Sequence, residues 1–357
     1  MSETQYPESS SRDKHSGSQG IRVVAIGGGT GLSTLLKGLK QYATSLPQPG
    51  QPFISELSAV VTVSDDGGSS GRLRKEFNML PPGDIRNCIV ALSEDEALLS
   101  QLFQHRFTQG SGLEGHSFGN LFLAALTSIT KDFSEAVRVS SEILLTRGHI
   151  FPATTANIEL EAQMEDGTRV LGETKITASK GRIKELFLVP PDVQPMPQTL
   201  EAIARADLIT IGPGSLFTSL IPNLLVKGIA QAIVNSAAVK VYICNLMTQA
   251  NESLGLTAAD HIRALNRHAQ TPRIFDYALI NQAQAPSGLK AKYALEAATQ
   301  IVADLDAIEE LGVAPVVGDY LEETGVARHA TDRVARDIMQ LIFQAPTGET
   351  AHSAAKK

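Results

Sequence analysis

Two short apolar runs, each breaking into a glycine-rich loop, leave this chain few folds to choose from. Val23-Val24-Ala25-Ile26 enters Gly27-Gly28-Gly29-Thr30-Gly31, and Ala59-Val60-Val61-Thr62-Val63 enters Ser64-Asp65-Asp66-Gly67-Gly68-Ser69-Ser70-Gly71. A run without polar alternation reads as a strand covered on both faces, as in a parallel sheet flanked by helices. Glycine lets the main chain take positive φ and close on an anion, and a helix beginning near Ser33 would aim its free N–H groups at the same place. A tight strand-to-helix turn that needs glycine for packing alone gives the same local pattern. Asp65 and Asp66 double the possibilities again: beside a phosphate ester they hold a divalent cation such as Mg²⁺ or accept from a ribose hydroxyl, and without a ligand they cap and form Asx turns.

From residue 21 onward, short apolar runs alternate with helical periodicity, the pattern of strands joined by crossover helices. Strands are expected at 21–26, 57–63, 206–211, 239–244 and 275–280. Helices are expected near 31–43, 86–92, 94–104, 117–129, 132–146, 198–205, 215–227, 257–268 and 331–343. One stretch departs from this alternation. Residues 156–164 keep a strict two-residue period, Asp166-Gly167 offers a hairpin turn, 168–176 resumes the period and 183–188 adds a strand, which together read as an antiparallel β insert over about 156–188. The rest forms one α/β domain over 21–343, between a polar leader (1–20) that reads as disordered rather than secretory and a flexible tail (344–357).

Composition sets limits on partners. With 43% hydrophobic and 19% charged residues the chain is ordinary for a globular protein, and its net charge of −7 argues against bulk attraction to nucleic acid or an anionic membrane. No stretch has the length of a membrane span. The only cysteines, Cys88 and Cys244, have neither disulfide nor zinc spacing, so a reducing cytoplasm is the expected home.

In a parallel sheet, ligands bind beyond the carboxyl ends of the strands. After 206–211 comes Gly212-Pro213-Gly214-Ser215-Leu216-Phe217-Thr218-Ser219, a further anion-type loop whose Ser215 is placed to cap the next helix. Asn245, Thr248 and Gln249 follow 239–244, and Asn281 follows 275–280; such uncharged donors and acceptors suit ribose and base edges. Asp84, Arg86 and Asn87 sit at a helix start where a guanidinium can reach a phosphate. Gly115-His116-Ser117-Phe118-Gly119-Asn120 places His116 and Asn120 in a glycine-flanked turn, with His116 either a general acid, a phosphate donor or a structural histidine. An anionic nucleotide or sugar-nucleotide is the leading ligand class.

These segments, with Val241 to Gln249, make the chain resemble the gluconeogenesis factors (YvcK type) within the 2-phospho-lactate transferase (CofD-like) superfamily, in order over about 21–343. The resemblance implies a Rossmann-like three-layer sandwich with a mostly parallel sheet, a cytoplasmic location, and a role in cell shape and envelope precursor supply on gluconeogenic carbon. It implies a binder of UDP-sugars, UDP-N-acetylglucosamine in particular, rather than a proven enzyme; because the candidate loops are rich in binding groups and no nucleophile has a neighbouring base in sequence, action through a regulatory protein partner is expected, as is a homo-oligomer. It also assigns Thr30, Asn223, Tyr293 and Arg328 to the sugar-nucleotide site. The related transferases use a divalent cation to move a phospho-lactyl group, so a metal-dependent transferase is the alternative. A dinucleotide oxidoreductase ranks third, because Leu32 and Thr34 stand where a strict Gly-x-Gly-x-x-Gly carries its last glycine.

Overall fold

The computed structural model describes residues 20–44, 51–94, 98–179, 181–323 and 325–344, so the expected leader and tail lie outside the described residues apart from Gly20 and Gln344. The first half runs β1 (Ile21–Gly27), α1 (Gly29–Lys40), β2 (Ile54–Val61), α2 (Gly68–Phe77), α3 (Gly83–Leu92), α4 (Leu98–Gln104), α5 (Phe118–Thr130), α6 (Phe133–Ile143) and β3 (His149–Pro152). The insert contributes β4 (Glu159–Met164), β5 (Arg169–Leu171), α7 (Glu173–Ala178) and β6 (Ile183–Val189). Next come α8 (Pro197–Arg205), β7 (Leu208–Ile211), a π-helical turn (Leu216–Leu220), α9 (Ile221–Leu225), α10 (Ile229–Asn235) and β8 (Val239–Ile243). The last part holds α11 (Ala258–His268), β9 (Tyr277–Asn281), α12 (Ser287–Ala294), α13 (Leu305–Glu310), β10 (Ala314–Gly318), β11 (Leu321–Glu323), β12 (Ala327–His329) and α14 (Thr331–Gln344).

Seven parallel strands form the central sheet in the order β10-β9-β8-β7-β1-β2-β3. The chain builds outward from β1 through β2 to β3, then returns to the other side of β1 and builds β7 through β10. This is the doubly wound order, and its switch point lies between β1 and β7, where Val23 faces Leu208 and Ile26 faces Ile211. Ala25, Ile26, Val60, Val61 and Ile209 are fully buried, because helices cover both faces of these central strands.

The insert forms a separate antiparallel sheet, β5-β4-β6, with Leu160, Ala162 and Met164 turned inward. Its expected second strand over 168–176 is cut short. Only Arg169–Leu171 pairs, and the chain then turns into α7, whose N-cap Gly172 has no side chain to offer; Asp66 supplies the cap from across the fold, accepting from Thr174 N at 2.9 Å. The alternating Thr174, Ile176 and Ala178 therefore belong to a helix. The expected helix over 215–227 is likewise broken into the π turn and the short α9, and α1 starts at Gly29, two residues earlier than expected. The expected helix over 94–104 begins at Leu98, and residues 95–97 lie outside the described residues.

No single helix among the described residues is long and apolar enough to cross a membrane. Cys88 and Cys244 are both buried and unpaired, in keeping with their unpaired spacing.

Candidate functional site

A cleft of about 680 Å³ opens at the switch point. Its floor is the first loop, Gly28 to Gly31, set against the loop after β7, Pro213 to Ser215. The two loops touch so closely that a Cβ on Gly31 would lie 2.3 Å from the Pro213 carbonyl oxygen. Gly29 takes φ +61°, the left-handed region, which turns the strand directly into α1. The N–H groups of Thr30 and Gly31 consequently stand in the first helical turn with no protein partner among the described residues.

One end of the cleft is acidic. Asp65, Asp84 and Glu173 all line it, the last brought in by α7 of the insert. Burial pushes the Asp84 carboxyl up to about 6 against the opposing hydrogen bond from Gly29 N–H, and the Asp65 charge adds to the rise. Burial, then the charges of Asp65 and Asp84, push Glu173 up to about 9, although the Ser64 hydroxyl donates to its Oε2 at 3.0 Å. Among the described residues no three metal-ligating side chains are gathered closely enough to hold an ion on their own. Of the expected pair, Asp65 faces the cleft and Asp66 turns away to cap α7.

The other end lies under the β11–β12 hairpin, which carries Arg328 and His329 over the opening. Tyr293 supports the hairpin by accepting from Ala327 N at 3.2 Å. His329 Nε2 donates to the Cys244 carbonyl at 3.0 Å, and burial lowers its pKa to about 4, so its ring is neutral. Arg328 is then the one fixed cation in the lining, against the carboxyls of Asp65, Asp84, Glu173, Glu252 and Glu296.

Behind the cleft, Glu252 is only 7% exposed and accepts from Phe217 N at 2.8 Å and Thr218 N at 3.0 Å. Burial raises its pKa and these bonds oppose the rise. Glu252, not Ser215, thus caps the turn after β7. Ser215 instead accepts from Gln249 Nε2 at 2.8 Å, leaving Gln249 Oε1 buried without a partner beside the cleft. Asn245 and Gly214 bond each other twice, at 3.1 and 2.7 Å, and Thr248 bonds Thr299, so these side chains first hold the loops in place.

Of the residues read from the sequence as ligand-binding, Gly28, Gly29, Thr30, Gly31, Asp65, Asp84, Gly214, Ser215, Asn245, Thr248, Tyr293 and Arg328 line the cleft. Asp66, Gly67, Gly68, Ser69, Arg86, Asn87, His116, Asn120, Gly212 and Asn223 do not. Asn223 is fully buried, where it donates to Gly27 O at 3.2 Å and Ser219 O at 2.8 Å and ties the first loop to the π turn. Ser69, Arg86, Asn87, His116 and Asn120 gather in a separate polar network behind the Asp65 loop. Glu173, Thr177, Glu252 and His329 line the cleft without having been expected there. Glu252 lies three residues beyond Gln249, but nothing local marks a glutamate that caps a turn 35 residues earlier.

Fold and cleft define a doubly wound α/β protein with its ligand crevice at the topological switch point. The family of 2-phospho-L-lactate transferase CofD matches residues 23–321. The gluconeogenesis factor of Halalkalibacterium halodurans is 50% identical over 320 residues, which cover 89% of this chain and 95% of that protein. The gluconeogenesis factor of Bacillus subtilis is 46% identical over 323 residues, covering 90% and 98%. A crystal structure of a Bacillus halodurans protein superposes with TM-score 0.84 at 48% identity, covering 90% of this chain and all of the other. The chain belongs to the CofD family, among the relatives named gluconeogenesis factors.

Proposed function

We propose that this protein binds a nucleotide-sugar diphosphate of the UDP-N-acetylglucosamine class in the switch-point cleft and acts as a ligand-responsive regulator. The observation that carries this reading is the placement of the first loop: free Thr30 and Gly31 N–H groups at the start of α1, facing a cleft whose one fixed cation is Arg328. On this reading the diphosphate is held between the N–H groups and the guanidinium. The buried, unpartnered Gln249 Oε1 offers an acceptor for a hydroxyl or imide N–H of the ligand. The resemblance to gluconeogenesis factors supplies the UDP-sugar identity, the link to cell shape, the cytoplasmic location and the protein partner. The one hydroxyl of the described lining that bonds a carboxylate, Thr218 on Glu252, does so only at 3.5 Å, and that carboxylate is already engaged by the Phe217 and Thr218 N–H groups, which favours binding over turnover.

A second reading, metal-dependent phospho-transfer, is favoured by the crowded carboxyls of Asp65, Asp84 and Glu173. Asp65 and Asp84 are the side chains that would hold Mg²⁺ there, with ligand oxygens completing the shell, and the ion would neutralise charge on a phosphoryl group. Calorimetry with UDP-N-acetylglucosamine, with and without Mg²⁺, tests the first reading. Thr30→Ala and Arg328→Ala should each weaken binding, Arg328→Ala by about 1.5–3 kcal/mol. Unchanged affinity in both variants would remove the cleft assignment, and steady product formation with Mg²⁺ would move the second reading ahead.

A further inference from the structure

The network behind the Asp65 loop gathers three arginines without an ion pair among the described residues, although Asp84 and Asp65 lie within the field of Arg86 and Glu76 within that of His116. Many arginines elsewhere sit on carboxylates, as Arg22 does on Asp207, Arg205 on Glu56 and Arg333 on Asp319. Here Arg72, Arg86 and Arg106 have no ion pair among the described residues, in a protein whose net charge is −7. Arg72 Nη2 donates to the Glu114 carbonyl at 2.7 Å and Arg106 Nη1 to the next carbonyl, Gly115, at 2.5 Å. Two guanidinium groups are therefore parked on consecutive peptide oxygens, immediately before His116. An isolated bridge sets Arg106 opposite Ser117, and the Ser117 hydroxyl accepts from Arg86 Nη1 at 2.6 Å.

Arg86 is held for donation. Nη1 and Nη2 are spent on Ser117, Asn120 and Asn87, while Nε is buried with no partner. A buried guanidinium N–H without an acceptor is costly, and an incoming acceptor would recover that cost. His116 is oriented as well. Ser69 Oγ accepts from Asn120 Nδ2 at 3.1 Å and lies 2.9 Å from His116 Nδ1, a contact that fixes the ring. Nε2, on the other side of the ring, has no partner among the described residues. The N-termini of α2 and α5, ten and thirteen residues long, begin at this same network, at Gly68 and Phe118.

We propose that Arg72, Arg86, Arg106 and His116 form a second anion site, separate from the cleft, that takes a phosphoryl group of a small phosphorylated ligand. Fixed charge from three guanidinium groups suits a multiply charged phosphate better than a single carboxylate. The site stands independently of the nucleotide-sugar reading, because none of its four residues lines the cleft. His116 also reports on occupancy: burial, Arg72 and Arg106 hold its pKa down against the nearby Glu76, and a bound phosphate would oppose the two arginines.

The test uses the full chain and inorganic pyrophosphate as the probe. Calorimetry should show pyrophosphate binding that falls about tenfold or more in a combined Arg72→Ala and Arg106→Ala variant and persists in Arg328→Ala. Both arginines are exposed, so the variant is expected to fold, which a thermal melt checks. Proton NMR of the His116 ring should show its pKa rising with pyrophosphate, in a signal identified by its loss in His116→Gln. Binding that is lost in Arg328→Ala and kept in the double variant would place the anion in the cleft and overturn the proposal. Absence of pyrophosphate binding, or a His116 pKa that does not move at saturating probe, would overturn it too.

Discussion

Replacing Glu173 with glutamine should stabilise the ligand-free protein above neutral pH and remove most of a pH slope in its stability. The unfolded chain titrates this carboxyl near 4.5, and the fold raises it to about 9. Between those values the native state holds a proton that the unfolded state has released, so stability is full at low pH and falls as pH rises toward 9. The linkage limit is about 1.4 kcal/mol per pH unit. Glu173 is partly exposed and shares its field with Asp65 and Asp84, so about half of that limit is a reasonable expectation, or about 1.5 kcal/mol lost between pH 6.5 and 8.5. That window lies above the Asp84 value of about 6 and the lowered histidines at positions 261 and 329, and the difference between the two proteins removes the contribution of Glu252, whose carboxyl burial also raises. Glutamine keeps an oxygen for the Ser64 hydroxyl and cannot ionise. Urea unfolding of both proteins at pH 6.5, 7.5 and 8.5, without Mg²⁺, should give a falling line for the natural protein and a flatter, higher one for Glu173→Gln. Parallel lines would refute the argument that crowding at the acidic end governs this proton.

Asp66→Ala should remove the cap on α7 and cost about 0.5–2 kcal/mol, seen as faster hydrogen exchange over 173–178; unchanged exchange there would show that α7 does not depend on Asp66. Glu252→Ala strands the Phe217 and Thr218 N–H groups and should cost about 2–4 kcal/mol by chemical denaturation, whereas Glu252→Gln retains an acceptor and should lose less; equal losses would contradict the capping role. Gly31→Ala drives a methyl into the Pro213 carbonyl, so thermal stability should fall and nucleotide-sugar affinity with it, and a variant that keeps both would show that the two loops need not touch.

The central architecture was legible wherever burial left a continuous signal. Val23 to Ile26, Ala59 to Val61 and Val241 to Ile243 are unbroken apolar runs, and they lie in strands β1, β2 and β8 of the sheet. Edge strands β3 and β10 escaped notice because His149–Pro152 is four residues long and Ala314–Gly318 is half exposed, so neither carries the doubly covered pattern. α2 was hidden for a different reason: Gly68, Ser69, Ser70 and Gly71 are turn formers by composition, and the helix they open is fixed by burial of Leu73 and Arg74 against the rest of the fold. Half of the candidate site followed from the rule that ligands meet the carboxyl ends of parallel strands. The other half failed because chain position along a strand end does not say which way a side chain leaves it: Asp65 enters the cleft and its neighbour Asp66 leaves toward α7.

A glycine-rich loop at a helix start looks the same in sequence whether its donors await a phosphate or are already engaged, and this chain contains both outcomes. At the turn after β7 the Phe217 and Thr218 N–H groups are taken by Glu252, so those two donors are closed to an anion. At α1 one donor, Gly29 N–H, bonds Asp84, and two remain free. The distinction has a consequence for selectivity. A phosphate approaching α1 meets a carboxyl already bound at the edge of the cradle, with the charge of Asp65 and the protonated Glu173 behind it, and within the lining Arg328 is the cation that offsets the charge. A bare trianion is poorly matched to such a site. A diphosphate ester, with its charge spread between the free N–H groups and Arg328 and its sugar hydroxyls able to donate to the carboxyls, is matched at both ends. On the proposed reading, the acidic wall selects for a ligand that brings hydroxyl donors along with its phosphates.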